Sequence, residues 1–296
     1  MNSEFYLVDK SFHYPNNITP QLLSERIKDL AIDYEFIRQY DTEKIFRNDS
    51  IFDEYIFPDI TINDFISYSL KVRSLFNKQI ITYLSIIIRK SKKTTISFEE
   101  VLEVLLEDQS EEVVHGLMCL FKTNGIEEKY LIYNKHNWLD FHRFYLSEFP
   151  KNPKYFMQEC EKYFPDLHFH PENSNKVHRI LNTNSKTIIH HLTELNRNFP
   201  ACKAKHVSRI DLLKEFNVLS KLNIPASIEG DLSRKKDLTF TFVNNEKKEE
   251  DIYCEMHLKL LKDDQERIVQ NRIYFHEGKN SIAFGKILIA HIGVHL

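Results

Sequence analysis

Apolar and polar residues alternate most regularly near the end of the chain. Every second residue from 252 to 260 is apolar, and the run at 268–276 repeats the pattern. Successive residues of a strand face opposite sides of a sheet, so this alternation predicts strands with one apolar and one polar face. We predict an antiparallel sheet of four strands, at 237–243, 252–260, 268–276 and 285–293.

Earlier in the chain, apolar residues recur at helical spacing. Thr19-Pro20 is typical of a helix start, and the apolar residues that follow predict an amphipathic helix over 20–39. We expect further helices over 110–122, 185–197 and 206–222. The last of these should cover the apolar face of the sheet, because a one-sided sheet must bury that face.

These elements predict an α+β protein with a mostly helical N-terminal portion and a C-terminal antiparallel β-sheet packed on a helix. We place a mainly helical sensing or interaction portion at 1–203. A β-rich domain that carries the candidate site follows at 204–296.

Composition limits the class of protein. The net charge of −3 over 296 residues argues against a protein that coats polyanions, so any nucleic-acid contact should be local. Four scattered cysteines without a CxxC pair argue against a disulfide framework and fit a reducing cytosol. No apolar run is long enough to span a bilayer, so we expect a cytoplasmic protein without a membrane partner. P-loop, dinucleotide-binding, kinase and Gly-x-Ser-x-Gly motifs are absent, which disfavours those enzyme classes.

Acid, base and cation side chains share the polar face of the second and third predicted strands. Cross-strand neighbours lie roughly 5 Å apart, so the two strands would bring these groups together. The set consists of Glu255, His257, Lys259, Arg272, Tyr274 and His276. Such groups could cleave RNA without a metal, with one group taking the 2′-hydroxyl proton, a His protonating the leaving oxygen and a cation stabilising the charge. Alternatively, they are ordinary outward-facing polar residues of a half-exposed sheet.

Two further histidines lie in or just after the last predicted strand. His291 and His295 have the parity of the apolar Ile287 and Ile289, so they belong with the apolar face unless the chain bends at Gly293. The candidate catalytic residues are therefore Glu255, His257, Arg272, His276 and His295. The candidate substrate-binding residues are Lys259, Tyr274, Lys286, Arg234 and Lys235. We expect no metal and no cofactor.

The run from Arg272 onward, RIYFHEGKNSIAFGKILIAHIGVHL, resembles the closing strands of RelE-type ribonuclease toxins, the YafQ branch especially. In that family a basic or aromatic strand, a short turn, an apolar strand and a Gly-x-His build a metal-independent ribonuclease site. Gly293-Val294-His295 matches the Gly-x-His, so the resemblance implies that His295 is an acid–base residue. The likeness covers ~25 of 296 residues, and it departs from the family in the longer turn at 277–285 and in the larger helical portion.

The leading hypothesis is a bacterial cytosolic nuclease-like effector, a toxin or anti-phage protein, that acts on RNA. One alternative is a non-catalytic module that binds an anion or nucleic acid, or a protein-interaction subunit of a defence or toxin–antitoxin complex. Another is a metal-dependent nuclease in which Asp237 or Asp251 precedes Glu255, although His257 stands where such sites carry Lys. His168 and His170 could suggest zinc, but their spacing matches no zinc pattern.

Overall fold

Two five-stranded sheets organise the chain, one in each of its two units. The computed structural model describes residues 1–296, which divide into Met1–Phe141 and His142–Leu296. With helices in both units, the chain has the predicted α+β class. No helix is long and apolar enough to cross a membrane.

The first unit is built on a parallel sheet in the order β5-β2-β1-β6-β7. Its strands are β1 (Asn2–Leu7), β2 (Glu43–Arg47), β3 (Tyr55–Phe57), β4 (Ile60–Thr61), β5 (Lys92–Lys93), β6 (Val113–Met118) and β7 (Leu131–Ile132). Its helices are α1 (Pro20–Ile37), α2 (Ile62–Ile66), α3 (Leu70–Leu75), α4 (Lys78–Lys90) and α5 (Phe98–Glu100). Helix α6 (Lys135–Glu148) runs on into the second unit. Strands β3 and β4 form a separate hairpin.

The prediction of α1 is confirmed, whereas the predicted helix over 110–122 is wrong. Thr19 caps α1, because its hydroxyl accepts a hydrogen bond from the Leu22 amide at 3.1 Å, and Pro20 begins the helix. Residues Val113–Met118 instead form β6, which pairs with β1 on one side and β7 on the other. A strand buried on both faces is apolar throughout, so its sequence has the texture of a short buried helix.

The second unit contains the sheet with the order β8-β14-β13-β12-β9, antiparallel except where β8 runs parallel to β14. Its strands are β8 (Leu167–Phe169), β9 (Ser227–Ile228), β10 (Thr239–Val243), β11 (Glu249–Tyr253), β12 (Met256–Lys262), β13 (Ile268–His276) and β14 (Ile287–Val294). Its own helices are α7 (Pro153–Tyr163), α8 (Asn173–Lys176), α9 (Leu181–Lys205) and α10 (Arg209–Leu219). Strands β10 and β11 form a hairpin outside the five-stranded sheet.

Helix α9, rather than the predicted helix over 206–222, lies directly on the apolar face of this sheet. The Phe199 ring of α9 packs 5.3 Å from the Phe275 ring of β13 and 5.4 Å from the Phe216 ring of α10. All three rings are fully buried. Helix α10 therefore packs on α9, and the interior of the unit lies between α9 and the sheet.

The division into units differs from the predicted boundary between residues 203 and 204. Helix α9 packs on the second sheet and β8 is one of its strands, so residues 142–203 belong with the C-terminal unit. The region 1–203 also contains the parallel sheet, of which the strands β5 and β7 have only two residues each and so show no alternation. The predicted strand 252–260 is interrupted at Cys254 and Glu255, and its halves join different sheets.

Candidate functional site

The pairing of β12 with β13 confirms the predicted cross-strand neighbours. Lys259 stands opposite Arg272, and His257 stands opposite Tyr274. Neither Lys259 nor Arg272 forms an ion pair with a carboxylate. Two cations directly opposite each other on a sheet repel, so this face is electrostatically prepared for an anion.

A β-bulge in β14 decides which way the two late histidines point. Tyr274 pairs with His291, but the next residue, Phe275, pairs with Ile289, so Ala290 is an extra residue in the last strand. One extra residue reverses the alternation beyond it. His291 consequently faces the same side as Tyr274, and the expectation that it belongs with the apolar face is wrong. His295 reaches the polar side through this bulge and not through a bend at Gly293.

The side chain of Asn173 holds the bulge in place. Its Nδ2 donates to the Ile289 carbonyl at 2.9 Å, and its Oδ1 accepts from the Ile292 amide at 2.8 Å. The pairing of β8 with β14 ends at Ile289, so the Asn173 amide continues the hydrogen bonding where the neighbouring strand stops. Asn173 is fully buried, which removes competition from water.

Gly293 provides the space that the His291 ring occupies. A Cβ at Gly293 would lie 2.9 Å from His291 Nε2, closer than real contacts allow. That Nε2 lies 2.9 Å from the Val294 carbonyl oxygen, which can only accept, so Nε2 carries the proton in this bond. The Gly-x-His triplet therefore contains His295 and also provides the space and the hydrogen-bond acceptor for the His291 ring.

His257 and Tyr274 form a buried floor beneath this face. Their rings lie 5.3 Å apart, and His257 Nε2 is 3.0 Å from the Ser227 hydroxyl oxygen. His257 is 6% exposed and Tyr274 is 0% exposed. Burial lowers the pKa of His257 to about 4 and raises the pKa of Tyr274, so both are neutral at pH 7. Neither can reach a large substrate in this arrangement.

Two guanidinium groups, those of Arg234 and Arg272, lie near His257 and Tyr274. Arg234, from a 3₁₀ turn at Leu232–Lys235, pairs with Glu229 at 2.6 Å and also donates to the backbone carbonyl oxygen of Leu296. Arg272 donates from Nη1 to the Asn271 carbonyl at 2.9 Å, but its buried Nε has no hydrogen-bond partner. Burial, and not a charged neighbour, is the main cause that lowers the pKa of Arg272. This N–H is sealed from solvent, so the Arg272 guanidinium can attract an anion through its charge and its other N–H groups.

His295 is the exposed acid–base group of this cluster. Its Nε2 lies 3.3 Å from Arg234 Nη1, and its ring lies 6.4 Å from that of Tyr274. Burial first, and then the charges of Arg234 and Arg272, lower the pKa of His295, so the ring is neutral at pH 7. A guanidinium only donates, so Nε2 holds the lone pair and accepts from Arg234.

A cationic cavity opens beside His295. It has a volume of about 370 Å³ and is lined by Asn175, Lys176, Arg179, His291, Val294, His295 and Leu296. Arg179 is exposed and in no ion pair, while Lys176 is paired with Glu172 at 3.7 Å. We call this cavity the basic pocket, and the set Glu229, Arg234, Lys259, Arg272 and His295 the basic cluster. Together they present more cations than acids to a ligand.

Two of the predicted catalytic residues, Glu255 and His276, lie in a different group. Arg209 at the start of α10 binds Glu255 at 2.6 Å and Glu277 at 2.8 Å, and His276 Nε2 is 3.5 Å from Glu277. The amide of Gly278 donates to His276 Nδ1 at 3.0 Å. These side chains are therefore engaged in holding α10 to the end of β13, and they do not join the basic cluster.

The remaining predicted binding residues are also separated from the cluster. The Lys235 ammonium lies 5.7 Å from the centre of the Tyr253 ring on the β10–β11 hairpin. Lys286 precedes β14 and lines another cavity with Phe284. Only Lys259, Arg234 and Tyr274 of the predicted binding set lie with Arg272 and His295.

Several contributors were not predicted, namely Glu229, Asn173, Lys176 and Arg179. The basic run Lys176-Val177-His178-Arg179 is a weak signal that could have indicated a phosphate contact. Nothing local marks Asn173, whose partners lie more than a hundred residues later in the chain.

The histidines of the alternative zinc hypothesis serve other contacts. The rings of His168 and His170 lie 6.0 and 5.1 Å from the Phe242 ring, and His170 Nε2 lies 3.1 Å from the Thr241 carbonyl oxygen. No group of three or more His, Cys, Asp or Glu side chains is arranged to hold a metal ion. Asp251, proposed for the metal-dependent alternative, accepts a hydrogen bond from the Thr241 hydroxyl at 2.7 Å.

The fold and this cluster were compared with known proteins in three ways. No family model, no curated protein and no solved structure matches the chain. The function proposed below is therefore inferred from the side chains of the basic cluster and the basic pocket.

Proposed function

We propose that the second unit binds RNA at the basic cluster and cleaves it without a metal, with His295 as the acid–base residue. The observation that carries this proposal is the position of His295, an exposed neutral imidazole that accepts from Arg234, senses the charge of Arg272 and lines a cationic cavity. Cations that stabilise a developing negative charge beside a general base are what phosphodiester transesterification needs.

The proposed step begins when a substrate phosphate takes the N–H groups of Arg234 and Arg272. This releases the lone pair of His295 Nε2, which then accepts the proton of the 2′-hydroxyl. The 2′-oxygen forms a bond to phosphorus, and the bond from phosphorus to the 5′-oxygen breaks. The proton passes back from the imidazolium through water to the departing 5′-oxygen, so the products are a 2′,3′-cyclic phosphate and a 5′-hydroxyl. Arg272 stabilises the extra charge on phosphorus oxygens in the transition state.

A second function is favoured by the burial of His257 and Tyr274. With these groups inaccessible and with Glu255 and His276 elsewhere, His295 is the only predicted acid–base residue in the cluster that reaches solvent. The alternative is that the basic cluster and basic pocket bind an RNA phosphate without chemistry. Binding without cleavage would identify this function.

The test uses purified wild-type protein, His295→Ala and Arg272→Ala on single-stranded RNA, with and without EDTA. We expect cleavage that resists EDTA, a loss of about 10²–10⁴-fold in rate for His295→Ala and of about 10²–10³-fold for Arg272→Ala. Matched controls are His136→Ala and Arg89→Ala, which remove exposed residues of the first unit. Detection of the cyclic phosphate would establish the chemistry.

Three outcomes would contradict the proposal in different ways. Intact RNA that is nevertheless bound would replace cleavage by the binding function. Cleavage abolished by EDTA would favour a metal-dependent nuclease. Cleavage that survives in His295→Ala would remove the assigned base.

The cellular setting is part of the same proposal. All four cysteines are buried and unpaired, which suits a reducing compartment, and we place the protein in the bacterial cytoplasm. A ribonuclease there would act as a toxin or anti-phage effector. Expression of the wild type should arrest growth and degrade cellular RNA, and His295→Ala should not.

A further inference from the structure

A second surface of the same unit displays an aromatic ring in a strained turn. Ala283 and Phe284 have φ values of 44° and 54°, and Gly285 follows at 85°. Two neighbouring non-glycine residues in the left-handed region are uncommon, and such conformations persist only where the surroundings impose them. We therefore ask which contacts impose this conformation and which side chain the turn exposes.

Contacts on both sides hold this turn. Ile282 is fully buried beneath it, and Lys203 of α9 donates from Nζ to the Gly285 carbonyl at 2.8 Å. Asn245 of the β10–β11 turn donates from its backbone amide to the Ser281 carbonyl at 2.7 Å. The turn is thus anchored, yet the Phe284 side chain is 87% exposed. Because the Phe284 ring is exposed, its burial does not stabilise the turn.

The ring borders a cavity that two lysines also line. A cavity of about 370 Å³ beside Phe284 is also lined by Asp166, Pro200, Lys203, Gly285 and Lys286. Lys286 is exposed and in no ion pair, while Asp166 lies 3.4 Å from the Asn196 side-chain amide nitrogen. Phe284 is the one large exposed apolar side chain among these residues. A single ring beside a free ammonium fits a nucleobase with its phosphate better than an apolar protein surface.

We propose that Phe284 stacks on an unpaired base of single-stranded RNA, while Lys286 binds the neighbouring phosphate. The site precedes β14, whereas the basic cluster lies at the end of that strand, so the two sites would hold different nucleotides of one strand. The inference rests on the proposed function for its substrate, but it requires binding only and no cleavage. It specifies that the substrate is single-stranded, because the bases of a duplex are not free to stack on a side chain.

The experiment uses a short oligouridine with 2′-O-methyl groups, which cannot be cleaved by 2′-oxygen attack. We expect Phe284→Ala to weaken binding roughly five- to hundredfold, as loss of one base–aromatic contact does. Lys286→Ala should weaken binding of both the oligonucleotide and inorganic polyphosphate, which has no bases. The matched control is Ile268→Ala, which removes an apolar side chain that is 89% exposed in the same unit.

A direct readout comes from Phe284→Trp. The single native tryptophan, Trp138, is fully buried, so the new indole is the exposed fluorophore. Oligouridine should quench this fluorescence, whereas polyphosphate should bind without quenching it. Because Phe284 is exposed, both variants should fold, and circular dichroism checks this.

The outcomes separate this inference from the proposed function. Equal affinity of Phe284→Ala and wild type for the oligonucleotide, or quenching by polyphosphate as strong as by oligouridine, would overturn the stacking site even if wild type cleaves RNA. Binding that depends on Phe284 in a protein that leaves ordinary RNA intact would support the stacking site and overturn cleavage.

Discussion

In each sheet a buried polar side chain forms hydrogen bonds to two backbone groups, but the structural consequences differ. In the first unit, the Ser11 hydroxyl donates to the Val8 carbonyl at 2.6 Å and accepts from the Leu120 amide at 3.2 Å. This joins the segments that leave β1 and β6, the neighbouring strands at which the strand order reverses. Parallel sheets of this kind usually bind ligands in a crevice at that point. Here the hydrogen bonds of Ser11 link the two segments across it.

In the second unit, Asn173 also hydrogen-bonds a strand through a buried side chain, but it stabilises an irregularity. By bonding Ile289 and Ile292 on either side of Ala290, it imposes the bulge that turns His291 and His295 to the polar face. A buried polar side chain thus links two segments in one sheet, and in the other it turns His291 and His295 toward the polar face. We infer that the second unit carries the chemistry.

Removal of the Asn173 side chain, which holds the bulge in β14, should have the largest effect. Asn173→Ala would leave the Ile292 amide without a partner and the Ile289 carbonyl with one hydrogen bond fewer. We expect the free energy of unfolding to fall by about 2–4 kcal/mol and RNA cleavage to be lost, because His295 is no longer positioned. Urea unfolding, hydrogen exchange of the β14 amides and cleavage assays measure this.

The matched control is Asn184→Ala. Asn184 is also buried in the second unit, where it donates to the Lys262 carbonyl at 3.3 Å and accepts from the Asn271 side chain at 3.1 Å, but it does not contact the bulge. This variant should lose stability while it retains cleavage at a temperature where it is folded. If Asn173→Ala also retained full cleavage there, the assignment of the bulge as the positioning element would be wrong.

The corresponding change in the first unit should affect stability alone. Ser11→Ala would remove the acceptor of the buried Leu120 amide, at a cost of about 1–3 kcal/mol. Fluorescence of the buried Trp138, which lies in this unit, can follow the unfolding. RNA binding and cleavage should remain at the wild-type level. A variant that unfolds normally but fails to bind RNA would show that the crevice at the β1–β6 junction is functional after all.

Crowding of the His291 ring should have a smaller effect. Gly293→Ala places a Cβ 2.9 Å from His291 Nε2, so the imidazole must shift, at a cost of about 1 kcal/mol in unfolding free energy and with slower cleavage. Gly230→Ala is the matched control, because a Cβ there meets nothing within 4 Å. Thermal unfolding and the cleavage rate of both variants give the comparison. Equal effects of the two substitutions would contradict the role given to Gly293.

Local patterns predicted much of the fold but not the assembly of the site. The cap at Thr19 and the alternation in β13 are local signals, and both α1 and β13 are where they were expected. Strand β6 was mistaken for part of a helix because a buried strand and a buried helix turn have similar apolar sequences. The halves of the predicted strand 252–260 separate at Cys254, which packs in one cluster with the hairpin residues Phe242 and Ile252 and with Leu288 and Ala290 of β14.

The direction of His295 could not be read from parity. Ile287, Leu288, Ile289 and Ala290 are all apolar, so the sequence does not show where the alternation reverses. The bulge depends on Asn173, which is 116 residues from Ile289 in the chain. Arg234 likewise reaches His295 across 61 residues. Long-range contacts of single side chains decide these positions, and a single sequence gives no measure of them.

Acid should weaken the second sheet more than the first. The first sheet buries one histidine, His115 in β6, whereas the second buries two, His257 in β12 and His291 in β14, and burial lowers the pKa of all three. For His257 the folded pKa is about 4, against roughly 6.5 in the unfolded chain. Above the unfolded pKa neither state binds a proton. As the pH falls from there toward 4, the unfolded state binds a proton that the native state excludes, so stability is lost.

Between pH 7 and pH 6 this amounts to about 0.7 kcal/mol for His257. The effect of His115 should be smaller, because the Glu4 carboxylate, 3.8 Å from its Nδ1, favours the charged imidazole and offsets part of the burial. Hydrogen exchange of β12–β13 peptides should therefore accelerate at pH 6 more than that of β1 and β6 peptides. His257→Gln, which keeps a hydrogen-bonding group beside Ser227, should reduce the difference and leave the share of His291, whereas His115→Gln should not reduce it. Equal acid sensitivity of the two sheets in the wild type would contradict the buried, neutral state assigned to His257.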